Sequence, residues 1–129
     1  MRYLKRYRIT TRPEFLAVQR KGKRWHDRLA IFVWRSSESG HTRLGVTVSK
    51  RIGNAVRRNR AKRLIREAFR LEFHQLPSDV DLVVIAKSAI ADATLADLRT
   101  ALSQWALEAT EQSKLELTKP KLTRPGLDP

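Results

Sequence analysis

Arg57, Arg58, Arg60, Lys62, Arg63 and Arg66 crowd into the stretch GNAVRRNRAKRLIR, Gly53 to Arg66, with no carboxylate among them. Like charges this close repel, so the crowding costs stability unless a partner outside the chain uses it. From Lys50 to Arg66 there are eight cations and no acid. A helical face that only meets water usually mixes signs, because opposite charges four residues apart stabilise and like charges destabilise. The chemistry implied is neutralisation of a polyanion. Most of the cations are Arg, whose planar fork grips phosphate through two hydrogen bonds and stacks on bases, as a Lys point charge does not. Asn59, inside the run, suits a hydrogen bond to a base or to a backbone group. Asn54 suits a helix cap. Gly53 either lets a nucleic acid backbone come close or simply supplies a positive φ, and the free N–H groups of residues 53–56 make an anion site.

Bond-breaking chemistry has no comparable signature. His26, His41 and His74 lie in unrelated segments, and none is spaced with an acid or Lys as general acid–base work requires. Asp79 and Asp81 stand together, but in the acidic half of the chain, where Asp79 reads as part of a turn after Pro77. There is no cysteine, which removes disulfides, thiolate catalysis and Cys-based zinc sites, and no metal-ligand cluster of convincing spacing. No catalytic residue and no metal ligand is expected in the polypeptide.

The charge is unevenly placed. Residues 1–76 carry 21 Lys and Arg against 5 Asp and Glu, a net of +16, while residues 77–129 carry 6 against 8. With a formal charge of +14 over 129 residues, a nucleic acid is the first-choice partner and an anionic membrane the second. No apolar run approaches the ~18 residues of a membrane span. The N-terminus, MRYLKRYRITTRPEF, lacks the apolar core of a secretion signal. The expectation is a cytoplasmic protein with no membrane partner.

The elements that must position these residues follow from periodicity. Residues 1–12 form a basic arm. A helix begins at Thr11 or Arg12, with Pro13 in its first turn, and stops near Gly22. LAIFVW, Leu29 to Trp34, and LGVTV, Leu44 to Val48, are strands, and the short polar link between them suggests an antiparallel hairpin. A long helix runs from Asn54 or Ala55 to Leu76, with Ala61, Leu64, Ile65, Ala68, Phe69, Glu72 and Leu76 at helical spacing. With Arg58 set at zero, Lys62, Arg66, Arg70 and Arg63 fall within about 140° of one side, roughly opposite the apolar stripe. VDLVVIA, Val80 to Ala86, is a strand apolar on both faces and hence central. A last helix starts after Thr94, with Asp97 three residues on, and buries Leu95, Leu98, Leu102, Trp105 and Ala109. Residues 113–129, with three prolines, read as a disordered tail. One domain, 1–112, results, in the order α-β-β-α-β-α, an α+β class with helices on a small sheet. A further short strand within 18–27 or 35–43 stays open.

The segment RLGVTVSKRIGNAVRRNRAKRLIREAFR, Arg43 to Arg70, resembles the protein subunit of bacterial ribonuclease P. Gly45, Val48 to Lys50, Gly53 to Val56, Arg58-Asn59-Arg60, Lys62-Arg63 and Arg66 carry the likeness, which extends over about residues 5–110. The resemblance implies a small α/β sandwich like the second domain of ribosomal protein S5, with a left-handed βαβ crossover bearing the basic helix, against the usual hand. It implies a protein that assists a catalytic RNA in removing the 5′ leader from precursor tRNA, and no protein partner. Magnesium ions would act through the RNA and no cofactor would be held by the protein. The catalytic RNA would dock on Lys50, Arg51, Arg57, Arg58, Asn59, Arg60, Lys62, Arg63, Arg66 and Arg70. The single-stranded leader would lie in a cleft of Arg8, Arg12, Phe15, Gln19, Arg28, Ile31 and Val33. Such a strand needs cations for phosphates and flat or apolar surfaces for bases. Alternation along LAIFVW puts Ile31 and Val33 on one face and Ala30, Phe32 and Trp34 on the other; the family likeness turns the first toward the cleft. Gln19 departs from relatives that carry an aromatic there, and Phe15 has a plain core reading beside the functional one. Three rivals stand: a ribosome-associated protein binding structured RNA with the same fold, a nuclease acting alone, and a duplex-DNA binder that lays the same helix in a major groove.

Overall fold

The computed structural model describes residues 5–118. After a 3₁₀ turn, Lys5–Tyr7, the elements run α1 (Arg12–Lys21), β1 (Lys23–His26), β2 (Ala30–Ser36), β3 (Arg43–Thr47), α2 (Ala55–Glu72), β4 (Val80–Ala86) and α3 (Leu95–Thr118). Further 3₁₀ turns lie at Lys50–Ile52, Phe73–Gln75 and Ser88–Asp92. The local signals acted as expected. Thr11 caps α1, accepting from the Glu14 N–H at 3.4 Å, while its hydroxyl donates to Glu14 Oε1 at 2.9 Å. Asn54 caps α2, accepting from the Arg57 N–H at 3.0 Å. Thr94 and Asp97 form a reciprocal capping box at the start of α3.

The four strands form one sheet in the order β1-β2-β4-β3. The expected β2–β3 hairpin is absent. β2 pairs antiparallel with β1 and β4, and β3 pairs parallel with β4. The reason is β4, whose Leu82, Val83 and Val84 are fully buried. A strand apolar on both faces needs neighbours on both edges, and it takes β2 and β3 as those neighbours. The 37–42 loop is tied at both ends to the segment before β4, with the Ser37 N–H donating to the Asp79 carbonyl at 2.7 Å and the Thr42 hydroxyl to the Pro77 carbonyl at 2.6 Å. Asp79 turns the chain there with φ 58, a conformation Asp tolerates. The parallel β3–β4 pair obliges a crossover, and α2 is that crossover. β1 is the strand that stayed open in the sequence: KRWH has three polar residues in four and no alternation to announce it.

α2 and α3 cover one face of the sheet. Phe32 stacks on Trp105 at a centroid distance of 6.1 Å, and Trp34 meets the same ring edge-on at 5.7 Å. Ala61, Ile65, Ala68 and Phe69 of α2 and Leu98, Leu102, Trp105 and Ala109 of α3 are buried with them, whereas Leu64 and Leu95 are only half-buried. Glu72, the polar member of the α2 stripe, is 3% exposed and ties the helices together: it accepts from Arg99 Nε at 2.6 Å and from the Ser103 hydroxyl at 3.1 Å. α1 covers the other face, with Ile9, Val18, Val33 and Val83 forming a smaller core. α3 runs through Thr118, so a boundary at 112 falls inside it. Residues 1–4 of the basic arm and 119–129 of the tail lie outside the described residues.

Replacing Glu72 by Ala strips a buried acceptor from two donors. At about 1–3 kcal/mol for such a loss, thermal unfolding of the variant is expected several degrees below wild type.

Candidate nucleic-acid interface

The basic residues fall on two surfaces. The first is the outer side of α2 with the turn before it. Ile52, 4% exposed, pins the Lys50–Ile52 turn to the core and leaves Lys50 and Arg51 in solvent. Gly53 has φ 141, so the conformational reading of this glycine holds, and a Cβ there would stand 2.7 Å from Arg57 Cδ. The first turn of α2 contains no acid, while Arg57, Arg58 and Arg60 sit at the positive end of the helix dipole. This arrangement is unfavourable by itself and becomes favourable when an anion meets the helix N-terminus. Further along, Asn59, Lys62, Arg63 and Arg66 line an open depression of about 340 Å³. Asn59 is exposed there, and Val56, 72% exposed, is an apolar side chain among the cations that charge patterning did not single out.

The cations differ in what they are free to do. Among the described residues, the side chains of Lys50, Arg51, Arg57, Lys62, Arg63 and Arg66 make no hydrogen bond or ion pair. The Nε of Arg66 is buried and unpartnered. Arg58 donates to the Gly53 carbonyl at 3.0 Å, closing the turn that precedes its own helix. Arg60 donates to the Ala91 and Ala93 carbonyls at 3.3 and 2.9 Å and so fastens α2 to the segment after β4. Arg70 is paired with Glu67, which raises the guanidinium pKa and lowers that of the carboxyl, in each case first through the hydrogen bond between them.

The second surface is the α1 side of the sheet. Residues paired across strands share a face, so the register sorts this side into rows. Arg24, Val33, Val83 and Gly45 form the row beneath α1. Gly45 is required there: a Cβ would lie 2.6 Å from the Phe15 ring. Arg35, Asp81 and Arg43 form the row on one flank of α1. Arg43 holds Asp81 through two hydrogen bonds of 2.9 Å and Glu14 through a third contact of 2.9 Å, bolting the first turn of α1 to β3 and β4. The hydrogen bond to Asp81 chiefly raises the Arg43 pKa. The Thr11 hydroxyl, and then Arg43, hold the Glu14 carboxyl below the ordinary carboxylate range.

His26, Ile31, Ile85 and Thr47 form the row on the other flank and stay partly open. With Arg12, Phe15 and Gln19, which share that flank of α1 at helical spacing, this row makes a trough. Phe15, Ile31 and Ile85 pack against the small core while remaining half-exposed, so the two readings of Phe15 are both realised. Val33 is fully buried and serves as support rather than as surface. Arg8 is exposed and lies along the β3 edge, bridged to Leu44. Arg28 is not at the trough: it lies in the β1–β2 turn beside Asp97, in a depression that includes Thr100 and Gln104 of α3. The strand-start position expected to carry it to the cleft instead belongs to a turn on the α3 side. Thr47, Ile85, Arg24 and His26 share this side of the sheet without having been expected there. Ile85 had a signal, since it alternates with Val83 in VDLVVIA; Arg24 and His26 had none, because β1 was not legible as a strand.

The two surfaces meet where β3 runs into the 3₁₀ turn. A pocket of about 420 Å³ there is bordered by Ser49, Arg51, Ile85 and Lys87. Among the described residues, no group of three or more His, Cys, Asp or Glu is arranged to hold a metal ion, and no helix is long and apolar enough to cross a membrane.

An α+β sheet with a cationic helix over one face and a basic, apolar trough on the other defines an RNA-binding protein. The ribonuclease P family model matches residues 4–110. The ribonuclease P protein component of Desulfatibacillum aliphaticivorans is 48% identical over 87 residues, 67% of this chain and 74% of that protein. The Staphylococcus aureus RNase P protein superposes with a TM-score of 0.69 at 31% identity, covering 81% of this chain and 95% of that one. The Thermotoga maritima RNase P protein, in complex with 1-(4-fluorophenyl)-2-thiourea, gives 0.70 at 28% identity over 77% and 96%. The chain belongs to the ribonuclease P protein family. It is a subunit of the ribonuclease P holoenzyme, acting in tRNA processing as the partner of the ribonuclease P RNA.

Two outcomes are expected. Arg60→Ala lowers the unfolding temperature by several degrees, whereas Arg63→Ala leaves it unchanged; in RNA-binding titrations Arg63→Ala reduces the salt slope by about one contact. The Glu14 carboxylate, with its folded pKa depressed, contributes stability above its unfolded pKa that is lost as pH falls through the folded value. An acid titration of stability should therefore fall less steeply in Glu14→Gln than in wild type.

Proposed function

We propose that the protein docks on the catalytic RNA through α2 and the Lys50–Ile52 turn, and holds the 5′ leader of precursor tRNA in the trough beside α1. The observation that carries this reading is the division of labour between the two surfaces. One offers six cations without a partner among the described residues and a helix N-terminus, suited to a folded polyanion. The other offers half-exposed Phe15, Ile31 and Ile85 beside Arg12 and Gln19, suited to unstacked bases and a phosphate strand. Their junction at Ser49 and Arg51 would place the leader next to the RNA that cuts it. The polypeptide then contributes affinity and register by lowering repulsion between two polyanions. The bond is broken by the RNA with its magnesium ions. Lys50, Arg51, Arg57, Lys62, Arg63 and Arg66 neutralise phosphates, Asn59 hydrogen-bonds within the same docking face, Arg58 and Arg60 shape it, and Arg70 flanks it through its pair with Glu67.

With about six phosphates neutralised, affinity for the large RNA should fall by about three orders of magnitude between 50 and 200 mM salt. A nearly flat response would remove the electrostatic argument. In cleavage assays the purified polypeptide should leave precursor tRNA intact, and cleavage should appear when ribonuclease P RNA is added. Cleavage by the protein alone would establish a stand-alone nuclease. RNA binding with no preference for precursors that carry a leader would instead favour a general structured-RNA binder.

A further inference from the structure

β3 meets α1 through Arg43 and through Gly45, in different ways. The two residues are two apart along the strand and so face the same side of the sheet. Gly45 lies under the ring of Phe15, and Arg43 holds the carboxylate of Glu14 at 2.9 Å. Glu14 and Phe15 are neighbours in the helix, about 100° apart around its axis. One strand therefore grips α1 on both sides of its line of contact, with a steric stop at Phe15 and an ionic tie at Glu14. The tie is itself built. Glu14 Oε1 accepts from the Thr11 hydroxyl at 2.9 Å, leaving Oε2 for Arg43. Asp81 fixes the Arg43 fork through two hydrogen bonds of 2.9 Å in a largely buried site. On this flank Pro13, Glu14 and Ala17 border a depression of about 400 Å³ shared with Arg35, Arg43 and Asp81. The ion pair, not filled apolar volume, spans the gap there. Val18 is the one fully buried side chain of this ten-residue helix, so apolar burial alone does little to fix its roll.

We propose that Arg43 is a positioning residue for the leader site on the opposite flank. Acting through Glu14, it sets the roll of α1 and hence where Arg12, Phe15 and Gln19 stand over Ile31 and Ile85. The proposal rests on the trough's being the leader site and adds what aims it. Neither Arg43 nor Glu14 is required to contact RNA. A sign separates this role from a direct electrostatic one. Glu14 is an acid on a helix that borders a surface for a polyanion, so removing its charge should, by Coulomb attraction alone, tighten RNA binding. A positioning role has the opposite sign: losing Glu14 weakens leader binding.

The test compares precursor tRNA with mature tRNA, each bound by holoenzyme reconstituted from the full chain and a bacterial ribonuclease P RNA. The readout is the gain in affinity that the leader brings. Glu14→Ala should cut this gain about tenfold, the contribution of one stacked base, and leave mature tRNA unaffected. Glu14→Gln removes the same charge but keeps both hydrogen bonds, its carbonyl accepting from Arg43 and its amide donating to the Thr11 hydroxyl. It should retain most of the gain, a rescue that a charge effect would not give. Arg43→Lys, which keeps the charge but not the fork, should fall with Glu14→Ala. Thr11→Ala, which removes the helix cap and leaves the Arg43–Glu14 pair, should lose stability while keeping most of the gain. The positioning role is overturned by a gain that rises in Glu14→Ala, by Ala and Gln variants that fall alike, by an equal loss for mature tRNA, or by a loss in Thr11→Ala as large as in Glu14→Ala. If wild type gains nothing from a leader, the trough reading itself falls, whatever the variants do.

Discussion

The arrangement of the molecule depends on the burial of β4. With Leu82, Val83 and Val84 inaccessible from either side, this strand has to lie inside the sheet, with a layer of helix above and below. From that constraint follow the separation of β2 from β3, the parallel β3–β4 pair and the crossover by α2. The functional consequence is spatial. The crossover takes the cationic helix to the face opposite α1, so one sheet carries two surfaces that face different ways and share only the segment from Thr47 to Gly53. Burying about 25 cal/mol per Å² of apolar surface holds those surfaces in fixed relation without any contact between α1 and α2 needing to be strong.

Between sheet and α1 the decisive contacts are polar. Arg43 binds Asp81 with both arms of its fork and Glu14 with one of them, and Asp81 is 5% exposed, so the pair is shielded from the water that weakens surface ion pairs. On the opposite flank α1 meets the sheet through half-buried Phe15, Ile31 and Ile85. α1 is therefore held by ion pairs along one side and by apolar packing along the other, and the contact of Phe15 with Gly45 sets how close to the sheet it lies. The half-exposure of Phe15, Ile31 and Ile85 follows from this asymmetry.

α2 shows the opposite balance, in which the placement of charge works against local stability. Arg at the positive end of a helix dipole, with no acid in the first turn, runs against the usual placement of charge. The protein offsets part of this internally: Arg58 and Arg60 discharge their hydrogen-bonding capacity onto the carbonyls of Gly53, Ala91 and Ala93. The remaining cations make no such bond among the described residues. Within one run of similar residues there are thus two roles, separated by what each guanidinium can reach.

Composition and periodicity by themselves determined that the chain is an α+β polyanion binder, that α2 has one apolar and one cationic side, that β4 is central, and that Asn54 and Thr94 stand at helix starts, though not that α2 ends at Glu72 and not at Leu76. These properties are local: a cap, a stripe or an alternation is decided by residues within a turn or two of one another. The pairing of β3, the strand character of KRWH, the commitment of Arg60 to two carbonyls about thirty residues away and the departure of Arg28 to the α3 side were settled only by the tertiary structure. Each depends on which edge or face the rest of the chain leaves vacant, and no spacing in the sequence encodes a vacancy. The run of arginines announced its partner; which of them remain free to meet it was decided by the fold.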